Sequence, residues 1–189
     1  MKEKSYSYFA RAIRGGRENL ENCRVIVGEM KKYSIVLSEH VVLDDIEKFE
    51  KEWRKKYPKI SVYERDIMWI RLSDYFCADI TVESTGVGYE IAEASIRGIP
   101  ILLFCHEKSK LSVMYLNELM KKWCGRKIPI VFYTDDTVKK VAEREVERFF
   151  LEHTENRKSI DELFRIIVEA SQEFGSEKVI DILESCIKR

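Results

Sequence analysis

Short apolar runs alternate along the chain with longer amphipathic segments. The short runs, rich in β-branched and aromatic residues, predict strands at 6–9, 33–37, 75–81, 101–104 and 128–133. The longer segments have the apolar spacing of helices and span 17–32, 44–56, 61–72, 86–97, 111–123 and 138–151. Strands that are apolar throughout are buried on both faces. The pattern therefore predicts an α/β domain with a five-stranded, parallel, doubly wound sheet of flavodoxin-like or Rossmann-like type.

The predicted helices offer different amounts of apolar surface. The segment 44–56 is highly charged, which predicts a largely solvated helix that Pro58 ends. The segment 61–72 carries four candidate core residues, namely Val62, Ile67, Ile70 and Leu72. The helix over 86–97 is followed by Gly98 and Pro100, which are the expected stop signals.

The tail after position 152 has a different pattern from the rest of the chain. Its first apolar stripe consists of Ile160, Leu163, Ile166, Ile167 and Val168. Its second stripe consists of Val179, Ile180, Ile182, Leu183 and Ile187, and Gly175 separates the two. This predicts a pair of helices that docks on the domain or on a partner subunit. The domain organisation predicted is therefore an α/β domain over 1–152 and a C-terminal helical extension over 153–189.

Composition narrows the class of protein further. The 189 residues suit one domain of ordinary size, and the hydrophobic fraction of 45% suffices for a core. Lys plus Arg and Asp plus Glu cancel at 33 each, which argues against a surface that binds a nucleic-acid polymer. That balance still leaves room for a local anion site.

Cysteine usage and hydropathy bear on cofactors and location. The five cysteines are odd in number and none are spaced as Cys-x-x-Cys, so we expect neither a disulfide framework nor a zinc site. We expect no metal and no cofactor. The start of the chain leads into no long apolar run, and no stretch approaches the roughly 20 apolar residues of a membrane span. These features predict a cytoplasmic protein without a membrane segment.

A glycine-containing loop follows the first predicted strand and precedes a helix. It comprises Ala10, Arg11, Ala12, Ile13, Arg14, Gly15, Gly16 and Arg17. Backbone N–H groups at such a helix start can hold a phosphate, and Arg14 can add a charge-assisted contact. The loop matches neither a Walker motif nor a G-x-G-x-x-G fingerprint. A flexible turn with solvated arginines is therefore an open alternative.

A second candidate segment, 84–90, follows the third predicted strand at the edge where ligands bind. Ser84 can cap the helix or donate to an anion, and Gly86 and Gly88 permit close approach of a ligand. Glu90 would lie in the first turn of the helix as a candidate catalytic carboxylate. The alternative is that Glu90 merely interacts with the helix dipole.

A third candidate lies on the helix before the third strand. Asp66 is a possible second carboxylate, since glycosyl cleavage typically uses two carboxylates in different roles. Glu64 and Arg65 beside it are interpreted as surface charges. His40 is a candidate base-binding residue or a structural histidine. The remaining histidines, His106 and His153, are interpreted as surface residues, and the tryptophans Trp53, Trp69 and Trp123 as packing anchors.

Together these segments resemble the nucleoside 2-deoxyribosyltransferase family, and within it the 2'-deoxynucleoside 5'-phosphate N-hydrolase branch. They occur in family order over about 5–133. The matching residues are Tyr8-Phe9, Ile13 to Arg17, Glu39-His40-Val41, Glu64-Arg65-Asp66, Trp69, Ser84, Gly86 to Glu90, Leu111-Ser112 and Met114.

The resemblance implies roles for these positions. Glu90 matches the nucleophile that attacks C1', Asp66 the carboxylate that assists near sugar and base, and Tyr8 a tyrosine that orients the nucleophile. His40 matches a residue at the base end. The positions implied in 5'-phosphate and substrate binding are Ala10 to Gly16, Ser84, Gly86, Ser112, Val113 and Met114. Ser112 matches a serine that enters the neighbouring subunit's site, which implies a homodimer.

The sequence departs from the family pattern in three places. Arg11-Ala12 stand where the family usually has Gly-Ser, so Ala12 lacks a hydroxyl that would contact the phosphate. The segment 42–60 matches the family poorly, and the tail after Glu155 lies outside the resemblance. The leading hypothesis is hydrolysis of a deoxynucleoside monophosphate to free base and 2-deoxyribose 5-phosphate. Base exchange between deoxynucleosides, cleavage of ribonucleotides and nucleotide sensing without turnover are the alternatives.

Overall fold

A computed structural model describes residues 5–15, 17–110 and 128–187, and these form one parallel sheet covered by helices. Its strands run in the order β2-β1-β3-β4-β5, and all four strand pairs are parallel. The strands are β1 (Ser5–Ala10), β2 (Ser34–Val36), β3 (Tyr75–Asp79), β4 (Ile101–His106) and β5 (Ile130–Tyr133). This is the flavodoxin-like order, which confirms the predicted fold class.

Seven α-helices and three 3-10 helices flank the sheet in the described parts of the chain. The α-helices are α1 (Leu20–Met30), α2 (Ile46–Lys56), α3 (Val62–Leu72), α4 (Thr85–Ile96), α5 (Val138–Glu152), α6 (Ile160–Phe174) and α7 (Ser176–Ile187). The 3-10 helices are Arg17–Asn19, Glu39–Val42 and Thr154–Asn156. The helix predicted over 111–123, with Trp123, lies outside the described residues.

Side chains of the central strands alternate between two apolar layers. Tyr8 and Ala10 of β1 face the layer that contains α3, α4, α6 and α7, whereas Phe9 faces α1 and α5. The register pairs Tyr8 with Phe76 of β3, and their rings stack with centroids 5.6 Å apart. This alternation places the Tyr8 side chain on the α3–α4 side of the sheet.

The C-terminal helices α6 and α7 pack against α3. Ala170 and Ile182 are fully buried in the same apolar cluster as Trp69. Gly175 separates the helices with a φ of 94°, a backbone conformation that side chains rarely adopt. A helical pair punctuated by Gly175 therefore agrees with the expectation, while the domain boundary at 152/153 stays a prediction.

Several predicted core and surface positions are wrong. Val62 is exposed rather than buried, because it lies at the first position of α3 on the solvent side. Ile160 and Val168 of the first tail stripe and Ile180 of the second are also exposed. His106 is buried rather than exposed, since it ends β4 and lies beside Tyr133. Within the part of the chain that the structure describes, no helix is both long and apolar enough to cross a membrane.

Candidate active site

The candidate site lies where the direction of chain winding changes in the sheet. β1 and β3 are neighbours, but the chain leaves β1 towards β2 on one side and leaves β3 towards β4 on the other. The carboxyl ends of two such strands border a crevice, which is the usual ligand site of this fold. The glycine-containing loop follows β1, and α4 follows β3 after a short connection.

Tyr8 and Glu90 meet directly in this region. The Tyr8 hydroxyl donates a hydrogen bond of 2.7 Å to Glu90 Oε1. Tyr8 is 1% exposed and its ring is held by Phe76, so the hydroxyl has a fixed position. Glu90 lies in the second turn of α4, not in the first turn as expected, because the helix begins at Thr85.

The surroundings of Glu90 make its ionisation costly. Burial and then the negative charge of Asp66 raise the pKa of Glu90 to about 8, although the Tyr8 hydrogen bond and Arg65 act in the opposite direction. Burial, and then the negative charges of Asp66 and Glu90, raise the pKa of Tyr8 well above its usual value. The hydroxyl of Tyr8 therefore keeps its proton at neutral pH and donates a hydrogen bond to Glu90.

Asp66 lies on α3, and its negative charge contributes to the raised pKa of Glu90. Burial raises its pKa, and an ion pair from Arg65 opposes that shift. In this pair Arg65 Nε donates to Asp66 Oδ1 at 2.8 Å. The structure thus places Tyr8, Asp66 and Glu90 together, from β1, α3 and α4.

Arg65 is the largest departure from the expectations for this region. It was interpreted as a surface charge, yet it is 1% exposed. Its guanidinium carbon lies 5.0–5.7 Å from the ring centroids of Phe49, Trp53 and Trp69, which is cation–π distance. Its Nη2 atom pairs with Glu50 Oε1 at 2.9 Å.

Glu64 is also not a free surface charge. It forms a reciprocal capping box with Ser61 at the start of α3, and its Oε1 accepts a 2.5 Å contact from Lys178 of α7. It therefore fixes the start of the helix that carries Asp66 and ties that helix to the tail.

The sequence contains a signal for the Arg65 environment in the segment before Pro58. Phe49, Trp53 and Tyr57 recur every four residues and so share one face of α2. An aromatic face on a highly charged helix needs a partner. Arg65 packs against Phe49 and Trp53 of this face, and Trp69 packs against Trp53. Most of α2 is exposed, as the charged segment predicts, and only its aromatic face is packed.

His40 lies in the 3-10 helix Glu39–Val42 and is buried. Its ring stacks on Phe49 with centroids 4.4 Å apart, and its Nε2 atom is 3.1 Å from Arg65 Nη2. A guanidinium only donates, so in this contact Nε2 is the acceptor. The predicted contact of His40 with a base stays a prediction, with the residue seated here between α2 and α3.

The loop after β1 borders an open cleft of about 780 Å³. Ile13, Arg14 and Gly15 line one side of it, and Glu50 and Val62 contribute to the other. Gly15 has a φ of 82°, which lets the loop turn its exposed backbone towards the cleft. The volume lies in the range of small-molecule sites.

The first residues of this loop are buried rather than exposed to the cleft. Ala10 and Ala12 are buried, and Arg11 donates from Nε to Ala12 O at 3.2 Å and from Nη1 to Val41 O at 3.3 Å. The Arg11 guanidinium therefore supports the backbone between β1 and the 3-10 helix at Glu39–Val42. Its contact with a phosphate stays a prediction.

Ser84 caps α4 by accepting from the Val87 N–H at 3.4 Å. A capping hydroxyl uses a lone pair, so its proton remains available to an anion. Gly86 is exposed, and a side chain there would meet only Ser84 Oγ at 3.7 Å, an ordinary contact. Packing within the described chain thus does not require a glycine at 86.

Four further predicted binding residues, namely Gly16, Ser112, Val113 and Met114, lie outside the described residues. Among the residues that are described, no group of three or more His, Cys, Asp or Glu side chains is arranged to hold a metal ion.

A second buried polar cluster, which the sequence did not suggest, lies next to the 3-10 helix that follows the glycine-containing loop. Tyr133 donates to Asp79 at 2.5 Å, and Asn19 donates to Asp79 at 2.9 Å and contacts the Tyr133 hydroxyl. Asn22 then links Asn19 to Asp135. These bonds fix the 3-10 helix Arg17–Asn19 to the ends of β3 and β5. Polar residues scattered over more than one hundred positions gave no spacing signal for it.

Comparison with known proteins bears on the family. No family model matches the chain. It is 36% identical over 109 residues to a protein of Syntrophotalea carbinolica named "Putative 2'-deoxynucleoside 5'-phosphate N-hydrolase 1", over 57% of this chain and 74% of that protein. The chain belongs to the 2'-deoxynucleoside 5'-phosphate N-hydrolase family.

Two other members of the N-hydrolase family match over shorter parts of their length. The 5-hydroxymethyl-dUMP N-hydrolase of Mus musculus is 37% identical over 102 residues, which is 54% of this chain and 58% of the relative. A protein of Nematostella vectensis, which has the same name as the Syntrophotalea protein, is 40% identical over 87 residues. The match covers 46% of this chain and 58% of the relative. This chain therefore spans less than two thirds of the length of several curated N-hydrolases that it matches.

Proposed function

We propose that the chain hydrolyses the N-glycosidic bond of 2'-deoxynucleoside 5'-monophosphates, with Glu90 as the nucleophile. The observation that carries the proposal is the Tyr8–Glu90 hydrogen bond of 2.7 Å at the switch point of the sheet, with Asp66 close enough to raise the pKa of Glu90. The names of the relatives support the substrate class, since they act on deoxynucleoside monophosphates by name.

In the first step a carboxylate oxygen of Glu90 bonds to C1' while the C1'–N bond breaks. The electron pair of that bond leaves with the base, which takes up a proton from solvent water. Tyr8 holds one oxygen of Glu90 in place, so the attacking group is oriented before the substrate arrives. A carboxylate whose pKa is raised is also a stronger base and nucleophile once it is ionised.

In the second step water bonds to C1' and releases Glu90. The products are free base and 2-deoxyribose 5-phosphate, and the water proton goes to solvent or to a neighbouring carboxylate. Asp66 is proposed to stabilise the positive charge that develops on the sugar in both steps. Its ion pair with Arg65 favours the ionised form that this role needs.

The 5'-phosphate is proposed to bind at the loop from Ala10 to Gly16, opposite Ser84 and Gly86. The charge of Arg14 and the exposed backbone at Gly15 support the loop side of this placement, because both border the cleft. Neither Ser84 nor Gly86 is among the described residues that line this cleft. His40 is proposed for the base end. Binding energy from the distant phosphate would then fix C1' against Glu90.

The active unit is proposed to be a homodimer in which Ser112, with Val113 and Met114, enters the neighbouring subunit's phosphate site. This rests on the family resemblance of the sequence around Ser112. It makes the site of each protomer dependent on the partner.

The experiment that tests the function measures products from the four deoxynucleoside monophosphates and the four ribonucleoside monophosphates, with and without a second free base. Hydrolysis predicts free base and sugar phosphate, unchanged by the added base. New nucleotide or nucleoside containing the added base would instead show transfer. Tight nucleotide binding by calorimetry without any product would show a sensor and would overturn the proposal.

A further inference from the structure

Two charged contacts through Arg65 join α2 to Asp66, one of the two carboxylates of the proposed site. Glu50 of α2 pairs with Arg65 Nη2 at 2.9 Å, and Arg65 Nε pairs with Asp66 at 2.8 Å. Asp66 in turn acts by its charge on Glu90. Arg65 thus presents a buried guanidinium that contacts two carboxylates with two different nitrogen atoms.

Arg65 is the cation that pairs with both Glu50 and Asp66, and its charge also lowers the pKa of Glu90. The titratable groups around it come from every element packed there: Tyr8 from β1, His40 from the 3-10 helix, Glu50 from α2, Asp66 from α3 and Glu90 from α4. Three carboxyl groups therefore share one positive charge in a poorly solvated space. Without that charge, two ionised carboxylates would be unfavourable together.

The orientation of Arg65 is fixed from outside the site. Phe49 and Trp53 of α2 and Trp69 of α3 surround the guanidinium, and Glu50 holds Nη2. A planar guanidinium held in this way presents its Nε–H in one direction, towards Asp66 Oδ1. The segment that matches the family pattern poorly thus supplies three side chains that hold Arg65.

We propose that Arg65 is a positioning residue of this site, and that α2 holds it there through Glu50 and the aromatic pair Phe49 and Trp53. Arg65 fixes Asp66 as an ionised carboxylate beside Glu90 without touching the substrate. The inference rests on the proposed function for its kinetic consequences, but the electrostatic link between Arg65 and Glu90 stands apart from any activity.

The chain provides a matched control on the same helix. Arg71 of α3 is also buried and also pairs with two carboxylates, Glu93 and Glu173, but it lies two turns away on the side of α6. Substitutions at Arg71 therefore reproduce the loss of a buried, paired arginine from α3 without changing the charge beside Asp66.

The test compares R65Q with R71Q and R65K with R71K, at temperatures where all are folded. We expect R65Q to lower kcat at least about 100-fold with KM changed less than about threefold, because orientation at C1' is lost while phosphate contacts remain. We expect the acidic limb of its kcat profile to move to higher pH by more than half a unit. R65K keeps the charge, so its limb stays near that of the unchanged protein while kcat recovers only in part.

Substitution of Glu50 tests independently whether α2 acts through Arg65. If it acts through Arg65, E50Q lowers kcat in the unchanged protein and has no further effect in R65Q. Additive losses would overturn the role assigned to α2. If R65Q does not fold, the comparison of R65K with R71K decides: equal losses of kcat overturn the proposal, and a loss at least tenfold greater for R65K supports it.

A spectroscopic readout separates this inference from the proposed function. Carbon-13 NMR of labelled glutamate carboxyl groups follows the titration of Glu90, assigned by its absence in E90Q. We expect R65Q to move this titration to higher pH and R71Q to leave it in place. No shift in R65Q overturns the inference even if the protein is an active hydrolase. A shift in a protein that releases no base supports the inference and contradicts only the proposed function.

Discussion

Burial at Glu90 has a measurable consequence for the single residue. The carboxyl is held in a space with little water, a tyrosine hydroxyl on one oxygen and a second carboxylate nearby. The unfolded chain would ionise this group near its ordinary pKa of 4.5, whereas the folded chain does so at about 8. Folding therefore favours the protonated form, and ionisation above pH 4.5 opposes folding.

Replacement of Glu90 by Gln is expected to stabilise the fold at high pH. Glu90 has a raised pKa, so the unchanged protein loses stability as pH rises from about 4.5 to about 8. E90Q does not ionise, so its advantage grows over that window to a few kcal/mol, at about 1.4 kcal/mol per pKa unit. Thermal unfolding at pH 5 and pH 8.5 measures it.

Glu93 on the same helix is a control, because its pKa is shifted in the opposite direction from that of Glu90. Burial would raise its pKa, but hydrogen bonds from Arg97 and Arg71 outweigh burial and lower it. E93Q is therefore expected to cost stability at neutral pH and to cost less as pH falls through the lowered pKa. An E90Q variant that behaves like E93Q would contradict the account of Glu90.

Replacement of Tyr8 by Phe removes the hydroxyl and keeps the ring stacked on Phe76. The hydrogen bond lowers the pKa of Glu90, so its loss is expected to move the acidic limb of kcat/KM to higher pH. A bond to a charged group contributes about 1.5–3 kcal/mol, which corresponds to a loss of about 10- to 100-fold in rate near neutral pH. Steady-state kinetics from pH 5 to 9 check this, and an unchanged limb would count against Tyr8 as the partner of Glu90.

The secondary-structure elements show how far pattern alone reaches. β1 to β5 were predictable because buried parallel strands are apolar throughout, and α4 and α6 because Gly98 and Gly175 end them. The burial of Arg65 was not predictable from its own segment. A charged triplet on a helix has the same spacing whether or not an aromatic face from another helix covers it. That cover comes from α2, whose aromatic spacing is visible in the sequence, but the sequence does not specify that α3 is the helix on which it packs.

The tail helices give a prediction at the scale of the element. Ile182 of α7 is fully buried in the cluster that contains Trp69, whereas Ile180 on the same helix is 56% exposed. I182A is expected to lower the free energy of unfolding by about 2–4 kcal/mol, and I180A by less than about 0.5 kcal/mol. Urea denaturation of both variants measures the difference. Equal effects would show that α7 does not dock on α3 in solution.

At the scale of the whole molecule, the sheet order brings together residues that are far apart in the chain. Tyr8, Asp66 and Glu90 converge because β1 lies beside β3, and the strand–helix alternation was enough to expect a site at that edge. Which carboxylate is buried and how the arginines are directed depend on packing between α2, α3 and α4. Those contacts decide the position of Arg65, whereas Arg11 is directed by the carbonyl oxygens of Ala12 and Val41.

The prediction at the scale of the whole molecule concerns the proposed homodimer. If Ser112 completes the partner's site, S112A and E90Q each lose activity alone, but mixed protomers form one complete site per dimer. Subunit exchange between the two variants is therefore expected to restore activity to a fraction of that of the unchanged protein. Light scattering gives the mass of the particle, and a fully active monomer would exclude the role of Ser112.

The most direct measurement is release of free base from the deoxynucleoside monophosphates by the unchanged protein, E90Q and E93Q, followed chromatographically under one set of conditions. The account predicts base and 2-deoxyribose 5-phosphate from the unchanged protein, similar release from E93Q, and at least about 1000-fold slower release from E90Q. Release by E90Q at the rate of the unchanged protein would contradict the central role of Glu90, and so would the absence of any base.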